Sequence, residues 1–202
     1  MAADSRDISS IMRSVREEVV MTTYTTAMVA GTVLMLGNMI RNLHLGNPLS
    51  IPHSVLYLSF LVIYVLRRRI GAGLLAPILL FTLYLAGTFG YFIYGFIGNS
   101  APVYMALCIV ASAFYGPRGG LIAAAASGAT AGPTTALAMS GRLVFSYDVN
   151  AFISSPASWI AALSTFGAMS AMVLTQVGLM HRNLESLLHK QQISMGDLTR
   201  TN

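Results

Sequence analysis

VVMTTYTTAMVAGTVLMLGNMI, residues 19–40, contains no charged side chain. About 20 apolar residues in a helix cross the hydrocarbon core of a bilayer, so this stretch is long enough to span one. It is too long for the apolar core of a signal peptide, about 7–15 residues, and no small-residue cleavage site follows it. It therefore reads as a retained membrane helix. It stops at Arg41, and the next residues, NLHLGNPLSIP, are turn chemistry.

Further apolar runs follow. Residues 54–66 end at Arg67-Arg68-Arg69; this helix is expected to begin near Ile51 and to let the arginines snorkel. Residues 74–97 end at the turn Gly98-Asn99-Ser100-Ala101-Pro102, and residues 103–115 end at Gly116-Pro117-Arg118-Gly119-Gly120. Residues 121–139 and 158–180 complete the set, with a longer loop over 140–157. The expectation is an all-α, polytopic helical bundle of six transmembrane helices. Residues 1–18 read as an interfacial helix, with Ile8, Ile11, Met12, Val15 and Val19 on one face. Residues 19–180 form the membrane domain and 181–202 a cytoplasmic extension.

Composition agrees. Of 202 residues, 55% are apolar and 9% are charged, against roughly 25% charged in a soluble domain. The mean hydropathy is +0.67, which excludes intrinsic disorder. One cysteine excludes a disulfide scaffold. The pI near 9.7 is not a nucleic-acid signal, because the basic residues sit in short clusters between uncharged runs. With both termini cytoplasmic, Arg6, Arg13, Arg16, Arg67, Arg68, Arg69, Arg118, Arg182, Lys190 and Arg200 lie inside, and only Arg41 and Arg142 outside. That is a positive-inside pattern.

No charge lies within any of these spans, which argues against proton-coupled transport and voltage sensing. The sole lysine, Lys190, lies beyond the last span, so a retinal Schiff base is excluded. His44 and His53 fall in the first outer loop, where they read as solvated residues or an outer metal or pH site. There is no HExxH, Walker or GxSxG motif. No enzyme activity, cofactor or metal is expected.

Ligand chemistry has two candidate locations. Phe81, Tyr84, Thr88 and Tyr91 share one helix face and suit an amphiphilic or lipid-like ligand; the bland reading is helix packing with an interfacial aromatic belt. In the last outer loop Tyr147, Asp148, Asn150 and Trp159 could close a pocket, or serve as a turn cap and an interface anchor. Gly116 and Gly120, and Gly128 and Gly132, have the four-residue spacing that lets helices approach closely in lipid. The fifth span is therefore expected to be central.

Beyond His181-Arg182 the chain turns polar but stays helix-forming. Leu184, Leu188, Gln191, Met195 and Leu198 are spaced 4, 3, 4 and 3, an a/d seam. It stops mid-pattern at Asn202, and a continuation into an output domain is expected.

The stretch FGYFIYGFIGNSAPVYMALCIVASAFYGPRGGLIAAAASG, the loop leading to Trp159, and HRNLESLLHKQQISMGDLTRTN together resemble the N-terminal six-helix membrane sensor regions of bacterial histidine kinases. Related regions precede diguanylate and adenylyl cyclases. The resemblance covers about residues 70–202, including the glycine-arginine-glycine turn at 116–120 and the final Arg200-Thr201-Asn202. It implies a homodimer in a bacterial inner membrane, passing an outer or intramembrane signal to a cytoplasmic output domain, and carries over no ligand site. The chain departs from the pattern in having no phospho-accepting histidine motif and no kinase or cyclase signature. Two other readings compete. One is the substrate-binding subunit of a vitamin uptake transporter, and the other a membrane scaffold without a ligand.

Overall fold

A computed structural model describes residues 2–45, 51–95, 98–143 and 148–200. The described residues are helical with short turns and contain no strand. The helices are α1 (Ala2–Leu45), α2 (Ile51–Ile70), α3 (Ala72–Tyr94), α4 (Ser100–Met139), α5 (Val149–Ser154) and α6 (Pro156–Arg200). Five of them are long and apolar enough to cross a membrane: the 27-residue segment Glu17–Leu43 of α1, then α2, α3, α4, and Pro156–Ser186 of α6.

α4 is continuous in sequence but not in direction. Gly116 has φ 74° and ψ −173°, a conformation closed to residues with a Cβ. Pro117 then restarts the helix at the first position, where a missing N–H costs nothing. The two limbs, 100–115 and 117–139, fold back on one another. A Cβ on Gly120 would lie 3.2 Å from the carbonyl oxygen of Cys108, and one on Gly119 would lie 2.7 Å from that of Ala111. Residues twelve and eight positions apart meet only if the chain reverses, since a straight helix would separate them by about 18 and 12 Å.

Side-chain pairs give the directions of the rest. Tyr24 packs on Phe60 (4.6 Å between centroids) and Tyr64, and Thr32 hydrogen-bonds Tyr57 at 2.9 Å, so α1 and α2 are antiparallel. His53 meets Phe89 edge-on, and α2 and α3 are antiparallel. Thr88 bonds Tyr104 while Gly90 lies against Ser100, so the first limb of α4 runs against α3. Tyr84 bonds Thr130 and Tyr91 bonds Thr135, so the second limb runs with α3. Gly37 lies against Ala161, and Gln176 donates to Thr23, making α1 and α6 antiparallel.

The core is a mix of large and small apolar residues, among them Val20, Leu75, Leu79, Val110 and Met172. Its small members set the spacing. Gly87 sits so close to Tyr104 that a Cβ would fall 2.7 Å from the ring.

Several sequence expectations change. One helix, α1, covers both the segment expected as an interfacial helix and the first span. Gly120 does pack closely, but a Cβ on Gly128 or Gly132 would meet nothing within 4 Å. The second limb is therefore not central. It buries Gly120, Ala123, Ser127 and Thr134 along one stripe, and the GxxxG pair faces away from the rest of the chain. Spacing alone identifies a small-residue face, not the direction in which it points.

Candidate functional site

Asn38, Arg41 and Asn42 stand at i, i+3 and i+4 near the end of α1, on one helix face. Arg41 was expected in an outer loop. Instead it is 2% exposed and is the largest fully buried side chain among the described residues. Its Nη2 donates to Asn38 Oδ1 at 2.8 Å. Its guanidinium lies over the Tyr94 ring at 4.1 Å and the Phe152 ring at 5.4 Å. Tyr94 in turn donates to Asn42 Oδ1 at 2.8 Å. The short helix α5 is what covers the arginine: Asp148 caps it by accepting from the N–H groups of Asn150 (2.8 Å) and Ala151 (3.3 Å), and its Phe152 closes over the guanidinium.

This environment is unusual electrostatically. A buried cation costs several kcal/mol in lost hydration unless it is paired. Among the described residues no carboxylate pairs with Arg41, and Arg41 Nε has no hydrogen-bond partner. The aromatic rings contribute about 2 kcal/mol when desolvated, and Asn38 about 1.5–3 kcal/mol as a hydrogen bond to a charged group.

Arg41 lines a cavity of about 130 Å³ between α1, α2, α3, α4 and α6. One end is polar, with Asn38, Arg41, His53, Asn99, Ser100 and Thr165; the other is apolar, with Phe60, Leu79, Leu83, Met169 and Met172. Ser100 is 2% exposed, and its hydroxyl is a second buried group without a partner. It opens α4, whose N-cap Asn99 makes no side-chain cap hydrogen bond; Asn99 Nδ2 donates instead to Thr165 Oγ1 at 2.8 Å. The first-turn N–H groups of a helix are donors without intrahelical partners at the positive end of its dipole. Arg41, Ser100 and that helix end therefore give the polar end of the cavity one electrostatic sign, positive.

The residues singled out from the sequence lie elsewhere. Tyr84, Thr88 and Tyr91 are engaged with Thr130, Tyr104 and Thr135 across the α3–α4 contact. Phe81 is 62% exposed and, with Tyr84, borders a surface groove beside Leu107 and Arg118. Asp148 is the cap of α5, Asn150 is exposed, and Trp159 is largely exposed and donates from Nε1 to Ile153 O at 2.8 Å. Tyr147 lies outside the described residues. None of the described members of that set lines the cavity. Of the two loop histidines, His53 lines it, and the side chain of His44 lies outside the description. Cys108 is a half-buried free thiol. No three His, Cys, Asp or Glu side chains come together as a metal site among the described residues.

The seam residues Leu184, Leu188, Gln191, Met195 and Leu198 all fall on α6. Leu184 and Leu188 are 60% and 55% exposed; the side chains of the other three lie outside the description. Comparison with protein-family models, with curated proteins and with solved structures finds no match for this chain.

Proposed function

We propose that the chain is a membrane receptor module, in which occupancy of the cavity biases the packing of α6 and α6 carries that change to a cytoplasmic output domain. The observation that carries this reading is the double engagement of one helix. α6 lines the cavity through Thr165, Met169 and Met172, and the same helix continues to Arg200 through the Leu184–Leu198 seam. A rigid element touching a ligand site at one end and a dimer seam at the other is what helix-borne signalling requires. The stimulus must still bind the two arrangements unequally.

In this reading the chain crosses a bacterial inner membrane six times, the two limbs of α4 being separate crossings, with both termini cytoplasmic. The alternating helix directions support it. So does the gathering of Arg67, Arg68, Arg69, Arg118 and Arg182 at the end opposite Arg41. Two copies join along the seam, and the output domain is a histidine kinase, as the resemblance implies. A transport subunit could use the same cavity, but has no need of a heptad seam beyond the membrane.

The test joins residues 1–202 to a histidine-kinase catalytic core and inserts one to seven residues after Asn202. Autophosphorylation should depend on the phase of the insertion and return with seven residues, the heptad period. Output independent of phase would overturn transmission through the helix.

A further inference from the structure

We propose that the Arg41 cavity binds a single-chain amphiphilic carboxylate, with the carboxylate at Arg41 and Ser100 and the alkyl chain directed toward Met172. This deepens the receptor reading and rests on it for the ligand's role as a stimulus, but binding itself is measured without any signalling output.

Three independent observations specify the anion. Arg41 is buried, lines the cavity and keeps Nε without a partner. Ser100 is equally buried, lines the same cavity and keeps its hydroxyl without a partner. Native structures rarely leave buried donors unmatched, and an oxyanion accepts from both. The third is the uncapped N-terminus of the long helix α4, which presents further N–H groups at that end. Among the described residues no carboxylate already occupies the guanidinium.

The shape and size specify the remainder. The lining runs along α1 from Arg41 to Ala27, close to four helical turns, while the volume is about 130 Å³. Beyond the polar end the lining is apolar, with Phe60, Leu79, Leu83 and Met172, so a single chain can lie along α1. An apolar cavity of about 150 Å³ holds a benzene ring, six carbons, so this volume encloses about five or six carbons of a linear chain, and the part-buried Leu34, Met35 and Leu56 at its margin leave room for the end of a longer one. A two-chain phospholipid is too wide for it, which favours a free short-chain carboxylate over a lipid headgroup. The polar end lies on the side away from the basic clusters, so the ligand would arrive from the extracytoplasmic face or the outer leaflet.

The test uses the full chain in phosphatidylcholine nanodiscs and titrates octanoate, with octanamide as the uncharged control of equal length. Octanoate should raise the thermal unfolding midpoint saturably, because a ligand bound only by the folded state stabilises it. Octanamide should bind at least about tenfold more weakly. Arg41→Gln should lose about tenfold or more in octanoate affinity, and Arg41→Lys should lose less. Ala86→Leu, which fills the void and leaves Arg41 in place, guards against a folding artefact: it should abolish the octanoate effect with the helix content unchanged. Equal binding of octanoate and octanamide, or unchanged affinity in Arg41→Gln, would overturn the proposal. So would a phospholipid that mass spectrometry finds retained by the wild type, lost in Arg41→Gln and not displaced by octanoate. Failure here with intact phase-dependent output would remove the ligand assignment and leave the receptor reading standing.

Discussion

Replacing Arg41 and Asn38 together separates a binding arginine from a structural one. In Arg41→Met/Asn38→Leu the buried charge and its hydrogen-bond acceptor both disappear, so neither is left orphaned. The wild-type charge loses several kcal/mol of hydration on burial. Against this stand the hydrogen bond to Asn38 at 2.8 Å, about 1.5–3 kcal/mol, and the stacking on Tyr94 at 4.1 Å, about 2 kcal/mol. The two sides cancel to within about 2 kcal/mol, and methionine packs against Tyr94 and Phe152 in place of the guanidinium. The double variant should therefore unfold within about 2 kcal/mol of wild type, or be more stable, as when other buried ionic groups are replaced by apolar ones. Arg41→Met alone should be worse, because Asn38 Oδ1 then loses its donor at about 1–3 kcal/mol. The assay is SDS titration in mixed micelles followed by circular dichroism. A loss beyond about 3 kcal/mol in the double variant would refute the reasoning and make Arg41 a structural residue.

Other substitutions test the packing. Gly87→Ala drives a Cβ to 2.7 Å from the Tyr104 ring and should cost about 1–3 kcal/mol, whereas Gly128→Ala, with open space around it, should gain up to about 1 kcal/mol; the same SDS titration compares them. Tyr84→Phe and Tyr91→Phe each remove one interhelical hydrogen bond and should cost about 0.6 kcal/mol, leaving octanoate affinity unchanged in the nanodisc titration. Asp148→Ala removes the cap of α5, about 1 kcal/mol; since α5 carries Phe152 over Arg41, hydrogen exchange at Ala151 and Phe152 should accelerate.

How far the residues announced this arrangement depends on which physical signal carried each feature. The absence of charge over residues 19–40 was enough for a membrane helix, because desolvation leaves few alternatives. The turn at Gly116-Pro117 was legible too, since glycine and proline act through local backbone sterics. Arg41 was not. A charge at the end of an apolar run looks the same whether it snorkels to water or tucks beneath a neighbouring helix. The distinction is made by Phe152, 111 positions away in sequence. A local hint existed in the polar triplet Asn38, Arg41 and Asn42, whose spacing places all three on one face. On α3, Tyr84, Thr88 and Tyr91 meet Thr130, Tyr104 and Thr135, while Phe81, on the same expected face, is exposed. Only the reversal of α4 brings Thr130 and Thr135 alongside α3. The glycine pair Gly128 and Gly132 shows the same limit: periodicity defines a stripe, and tertiary placement decides what it meets.

The most direct test of the account is a cysteine-crosslinking scan of positions 183–199 in native membranes, with Cys108 replaced beforehand. If α6 transmits through a parallel two-stranded seam, symmetric dimers should form most readily at 184, 188, 191, 195 and 198, with minima between them. The yields at those positions should shift when the cavity is filled. Crosslinking that is absent, or that shows no period along the helix, would contradict the receptor account.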